Sequence, residues 1–319
     1  MSFGIPGLRY TMNSKGRRTI SAGIPGTGLS DVTVLSSGRR SSRARAAEST
    51  PAPLPPTPPA PGFFASKAER ELHIFFQDIY GVDGSVDSAI EVVRSASSLK
   101  AHFPKLTAAA DLISVLHGVR DDETSEAAYS KAIELWPARY QLFTDKLVRK
   151  YFSSIYPGVS ITRGIFSEGT YDMQAFGFLV AEVCQIQGRY SDAVAVLTQM
   201  GPTQLVGIAL ADVEITAGDF DGAIETTEDI ENDDDATAMM LVLRGIAFRE
   251  KGLDDAALEC FKRAIAKKDR SEGVIHRGLY ERAMTYKKLG KKAAAKKDLE
   301  KILVDDPQSA GVNEALASL

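Results

Sequence analysis

The chain of 319 residues is 44% hydrophobic and 25% charged, with a formal net charge of −4. That balance excludes a collagen-like or wholly disordered chain. No apolar run approaches the roughly eighteen residues of a membrane-spanning helix, and Gly4, Pro6 and Gly7 interrupt the start where a secretory signal needs an unbroken apolar core, so a soluble cytoplasmic protein is expected.

Residues 1–35 read as a small β-rich segment. Arg9 to Asn13 and Arg17 to Gly23 flank Ser14-Lys15-Gly16, a turn signal between two β-prone runs, and Val32-Thr33-Val34 follow, giving two or three short strands that include a hairpin. Gly23, Gly26 and Gly28 do not make a phosphate loop, because Pro25 lies among them and no amphipathic helix follows. The run Arg17-Arg18-Thr19-Ile20-Ser21-Ala22-Gly23-Ile24-Pro25-Gly26-Thr27-Gly28-Leu29-Ser30 resembles the end of a small bacterial domain of unknown function. The resemblance implies a bacterial source and carries no activity.

Residues 36–64 read as a disordered linker. Seven of the fourteen prolines, from Pro51 to Pro61, forbid helix and favour an extended polyproline spacer. Residues 1–47 carry eight Lys or Arg against Asp31 alone, so a basic arm precedes an acidic body. This arm is either a solvated tail or a contact for nucleic acid or an anionic surface.

From residue 65 to 319 the pattern is helical. The residues around Thr107 to Val119 and Thr124 to Leu135 form one pair, ending near Pro137. Tyr140, Phe143, Leu147 and Tyr151 then mark one amphipathic helix. The region 138–169 is irregular, and 153–169 reads as a long loop, either functional or the remnant of a repeat that lost one helix.

The remainder repeats. Gly84, Gly188, Gly218, Gly252 and Gly290 are each followed five residues later by an alanine: Ala89, Ala193, Ala223, Ala257 and Ala295. Nine residues after the glycines come Val93, Leu197, Thr227, Phe261 and Leu299. Ala181, Ala211, Gly245 and Ala283 lie seven residues before the last four glycines. Each glycine suits the left-handed end of a first helix, and small residues facing one another let two antiparallel helices cross closely. Spacing of this kind predicts stacked helical hairpins.

At these positions the chain resembles the tetratricopeptide repeat family, best in Gly245, Phe248, Gly252, Ala257, Phe261 and Ala264 and again in Ala283, Tyr286, Gly290, Ala295, Leu299 and Pro307. The family's early tryptophan is missing, and Thr227 is polar where an apolar residue is usual. The resemblance implies an all-α right-handed solenoid of helical hairpins that binds a peptide or protein partner on its concave face. By matching positions that face shows Phe178, Glu182 and Gln185, then Ile208, Asp212 and Ile215, then Val242, Ile246 and Arg249, and finally Tyr280, Met284 and Lys287, with Lys288 beside it. Arg249, Lys287 and Lys288 form a candidate carboxylate clamp, although the family's clamp asparagines are absent.

No catalytic motif stands out, and Ser97-Ser98-Leu99-Lys100 is a four-residue match of the kind chance supplies. Cys184 and Cys260 fall in apolar helical patterns and the four histidines are isolated, so neither a metal nor another cofactor is expected. Residues 219–235 contain nine acidic side chains and no basic one, whereas 244–301 contain seventeen Lys or Arg against nine Asp or Glu. These are either solvated helix faces or a gradient that lets copies pair head to tail or lets the C-terminal half receive an acidic peptide. The sequence therefore reads as a non-enzymatic interaction scaffold; the alternative is a tether to nucleic acid or an anionic surface through the basic arm.

Overall fold

A computed structural model describes residues 2–5, 8–12, 18–23, 30–36, 58–81, 104–119, 125–153, 155, 157–167 and 169–319. The repeat expected at Gly84, the Ser97 to Lys100 motif and the arginines at 39, 40, 43 and 45 lie outside these residues, as does most of the proline tract. The N-terminal segment holds four strands rather than two or three: β1 (Ser2–Ile5), β2 (Leu8–Met12), β3 (Arg18–Gly23) and β4 (Ser30–Ser36). They form an antiparallel meander in chain order, with Tyr10 opposite Ile20 and a register shift between Arg18 and Thr19.

The helical part begins with α1 (Lys67–Gly81), α2 (Pro104–Gly118) and α3 (Ser125–Leu135). α2 and α3 pack as the expected pair. The single helix expected across Tyr140 to Tyr151 is two, α4 (Arg139–Thr144) and α5 (Lys146–Phe152). Asp145 divides them: its backbone is extended (φ −63°, ψ 131°) and its carboxylate accepts from the Leu147 and Val148 amides, capping α5. α5 then packs on α1, where Tyr151 stacks on Phe76 at 5.3 Å between ring centroids.

Four helical pairs follow. They are α6 (Met173–Ile186) with α7 (Tyr190–Gln199), α8 (Gln204–Ala217) with α9 (Phe220–Thr226), α10 (Asp235–Glu250) with α11 (Asp254–Ala264), and α12 (Glu272–Lys288) with α13 (Lys292–Asp305). A short α14 (Ala310–Ala317) packs against α13. The first helix of each pair ends as the glycine spacing requires. Gly188, Gly218, Gly252 and Gly290 have φ of 66°, 82°, 79° and 71°. The amide that follows each glycine bonds the carbonyl five residues back: Arg189 to Cys184, Asp219 to Glu214, Leu253 to Phe248 and Lys291 to Tyr286, at 2.7–2.9 Å. One helix-ending motif thus sets the same reversal four times.

Within each pair the small residues are buried as expected; Ala193, Ala211, Ala223, Ala257, Ala283 and Ala295 have no exposed surface. In the third pair the contact is tighter. A Cβ on Gly245 would stand 2.5 Å from Cε1 of Phe261, so the large ring is accommodated only because the facing position is glycine. Thr227 is fully buried, and its hydroxyl donates to the Ala223 carbonyl at 2.6 Å, which explains how a polar residue fills that position.

Adjacent pairs are tied by polar groups at their turns. Asn232 Nδ2 donates to the Arg263 and Ala264 carbonyls at 2.8 Å each, and Arg270 donates to the Asn232 and Asp233 carbonyls. Part of the acidic-to-basic gradient is used inside the chain: Asp221 pairs with Lys251, Asp233 with Lys267 at 3.8 Å, and Asp254 with Lys288 at 2.8 Å. Cys184 and Cys260 are both buried in the array. Burial pushes the Cys184 thiol up to about 12, which keeps it protonated and unreactive.

Candidate functional site

The stretch 153–169, read from sequence as a loop, contains a β-hairpin. β5 (Val159–Thr162) and β6 (Ile165–Ser167) pair antiparallel, with Thr162 opposite Ile165, leaving Arg163 and Gly164 as a two-residue turn. Gly164 has φ +99°, a conformation that favours glycine. Val159, Ile161 and Ile165 are buried, and β5 lies against both α6 and α8.

The tip of this hairpin reaches across the first helices. Thr162 Oγ1 donates to Asp212 Oδ1 on α8 at 2.8 Å. A Cβ at Gly164 would meet the Gly273 carbonyl oxygen at 2.9 Å and the Met239 methyl at 3.1 Å, so the turn backbone rests on α12 and α10. A Cβ at Gly273 would in turn meet the Gly164 oxygen at 3.0 Å. The two glycines permit backbone to approach backbone. The Arg163 guanidinium lies 5.1 Å from the centre of the Tyr280 ring.

Below the tip is a cluster of charge. Glu281 receives Arg249 Nη1 at 2.7 Å on Oε2, while Arg277 Nε lies 2.8 Å from Oε1 at an angle that makes an ion pair rather than a hydrogen bond. Burial favours the neutral form of Glu281, but Arg277, Arg249 and Arg163 outweigh it and hold the carboxyl below the usual carboxylate range. Asp212 goes the other way. Its burial outweighs the attraction of Arg277 and the Thr162 hydrogen bond, with Glu281 adding repulsion, so its carboxyl titrates above the usual range.

The residues expected to meet a partner separate into groups. Phe178, Ile208, Val242 and Ile246 are buried and pack in the core, while Glu182 and Gln185 are half-buried on α6. Asp212 and Tyr280 lie under the hairpin tip, occupied by Thr162 and Arg163. The three clamp residues have internal partners. Arg249 pairs with Glu281 and Glu250, Lys287 donates to Ser318 Oγ at 2.7 Å, and Lys288 donates to Asp254 at 2.8 Å and to the Arg249 carbonyl at 3.1 Å. A carboxylate ligand at this point would have to displace carboxylates already in place.

Sequence reasoning missed Thr162, Arg163, Gly273, Arg277 and Glu281. The one local signal was the alternation in Val159-Ser160-Ile161-Thr162 before Arg163-Gly164, a strand entering a two-residue turn. Among the described residues, no group of three or more His, Cys, Asp or Glu is placed to hold a metal ion, and no helix is long and apolar enough to cross a membrane.

The tetratricopeptide repeat family profile matches residues 277–309, and the profile of a family described as a protein of unknown function (DUF4236) matches residues 1–32. The N-terminal domain of the EccA1 ATPase from the ESX-1 secretion system of Mycobacterium tuberculosis is similar in structure, with a TM-score of 0.55 and 17% identity over 78% of this chain and 89% of that one. A chain of the APC/C hetero-tetramer Cut9–Hcn1 aligns over 78% of this chain and 45% of its own, at 16% identity and a TM-score of 0.43. A search of curated protein sequences returned no match. The fold is tetratricopeptide-repeat-like, with an N-terminal segment resembling the DUF4236 family.

Proposed function

On this tetratricopeptide-like array, we propose that the protein is a non-enzymatic scaffold that binds a protein or peptide partner along the inner face formed by its first helices. Folds of this type generally mediate protein–protein interaction. The observation that carries the reading is the continuity of that face: α8, α10 and α12 pack side by side, and β5 joins α6 to α8. The family-matched positions toward the C-terminal ends of these helices include half-buried Ile215 and Met284 and exposed Lys287, a mixture of apolar and charged groups suited to a reversible partner.

The test is affinity purification with the full chain from a bacterial extract. Ile215→Glu and Met284→Glu each place a charge on the inner face and are expected to reduce recovery of a specific co-purifying protein at least tenfold. Val304→Glu, at a side chain 81% exposed on α13, is expected to leave recovery unchanged. Equal recovery by all three variants, with helical circular dichroism intact, contradicts the proposal.

A further inference from the structure

The hairpin covers the part of the inner face where three first helices converge. Its contacts differ from those of a permanent strut. A two-stranded hairpin has little stability of its own, so it keeps its place only through what it touches. At the tip it touches a carboxylate through Thr162, an aromatic ring through Arg163 and a glycine backbone through Gly164. The floor beneath sets charge beside the Met239 methyl and the Tyr280 ring, with Asp212, Arg249, Arg277 and Glu281 drawn from α8, α10 and α12. A surface covered for good gains nothing from such groups, since apolar side chains in place of buried ion pairs are often neutral or stabilising. A surface that is alternately covered and open needs them, because the same charges keep it hydrated when uncovered. The aliphatic contacts of Val159, Ile161 and Ile165 supply affinity, and the polar contacts at the tip supply register.

We propose that β5–β6 is a displaceable resident of the inner face, and that the partner replacing it is an extended polypeptide segment of matching chemistry. The segment carries β-branched aliphatic residues flanking a hydroxyl for Asp212, an arginine for Tyr280 and Glu281, and a glycine against Gly273. This deepens the scaffold reading and rests on it. Because the hairpin is tethered, its effective concentration over its own site is in the millimolar range. A free segment therefore competes poorly until the resident is weakened.

The probe is a fluorescent synthetic peptide with the sequence of residues 157–169, titrated into the full chain and followed by anisotropy. The unaltered protein is expected to bind it only at millimolar peptide. Thr162→Val with Arg163→Ala, which removes both polar contacts of the resident tip, is expected to bind the peptide at least tenfold more tightly. Adding Asp212→Ala is expected to reverse that gain. No gain in the double variant overturns the proposal. Hydrogen exchange on the unaltered protein is an independent check that needs no variant. Residues 159–167 are expected to exchange at least a hundredfold faster than α8 and α10, by local opening. Exchange of hairpin and helices as one unit overturns the proposal and makes the hairpin a fixed strut. The scaffold reading fails separately: a chain that binds the peptide but captures no protein refutes that reading alone. Undiminished capture by a partner that the Thr162 and Arg163 changes do not affect refutes the displaceable resident alone.

Discussion

Gly245→Ala probes how a small residue faces a large one within a helical pair. The new methyl would stand 2.5 Å from Cε1 and 2.9 Å from both Cδ1 and Cζ of Phe261, a ring with no exposed surface. Such overpacking costs about 1–3 kcal/mol. The 2.5 Å approach to a fully buried ring puts this change in the upper part of that range, about 2–3 kcal/mol, and alanine returns roughly 1 kcal/mol through helix propensity, so the net loss is expected to be about 1–2 kcal/mol. Phe261→Leu alone leaves a cavity and costs about 1–2 kcal/mol. The first and fourth pairs already combine Ala181 with Leu197 and Ala283 with Leu299. The double variant restores that combination and is expected to be more stable than the sum of its single changes by about 1 kcal/mol or more. Urea denaturation followed by far-ultraviolet circular dichroism, compared at equal slope, measures each term. A Gly245→Ala protein as stable as the parent, or two changes that simply add, would refute the proposed reciprocity of small and large residues.

Glu281→Gln leaves Arg249 and Arg277 side by side without their carboxylate and is expected to cost about 3–5 kcal/mol at neutral pH. Because the folded pKa of Glu281 is depressed, its contribution is complete above the unfolded value of about 4.3 and is lost as pH falls from there through the folded value. The gap between parent and variant in urea midpoints should therefore narrow only under acid. Asp212 has the opposite sign: its folded pKa is raised, so ionising it costs stability as pH rises through that value. Asp212→Asn retains an acceptor for Thr162 and is expected to match or exceed the parent at pH 7, with its relative advantage shrinking as pH falls. Gly164→Ala is expected to strain the turn by about 1–3 kcal/mol. It should accelerate hydrogen exchange in 159–167 while leaving α8 and α10 protected.

The repeat was legible because its determinants are local. A glycine at the end of a first helix and an alanine five residues on act within one hairpin, and four such sets appear in the described residues with the expected φ and burial. The break at Asp145 was hidden because the apolar spacing runs through it; the cap that divides α4 from α5 depends on an extended ψ that spacing does not report. The fourth N-terminal strand was missed because β1 is four residues long and includes Gly4. The candidate site was the least legible part. Thr162 meets Asp212 fifty residues away, and Gly164 meets Gly273 across more than a hundred, pairings that no local pattern encodes. Family positions pointed to Asp212 and Tyr280, but the hairpin that covers them comes from a segment without the repeat pattern.

The central claim is that the inner face of the array receives a protein. Site-specific photo-crosslinking probes this, with a photoreactive residue placed at the family-matched positions Ile215, Met284 or Lys287, or at Lys297 or Val304 on α13. One crosslinked species of common mass is expected from the inner positions and none from α13. Crosslinks confined to α13, or none from the inner face while the chain still recovers a partner, would contradict it.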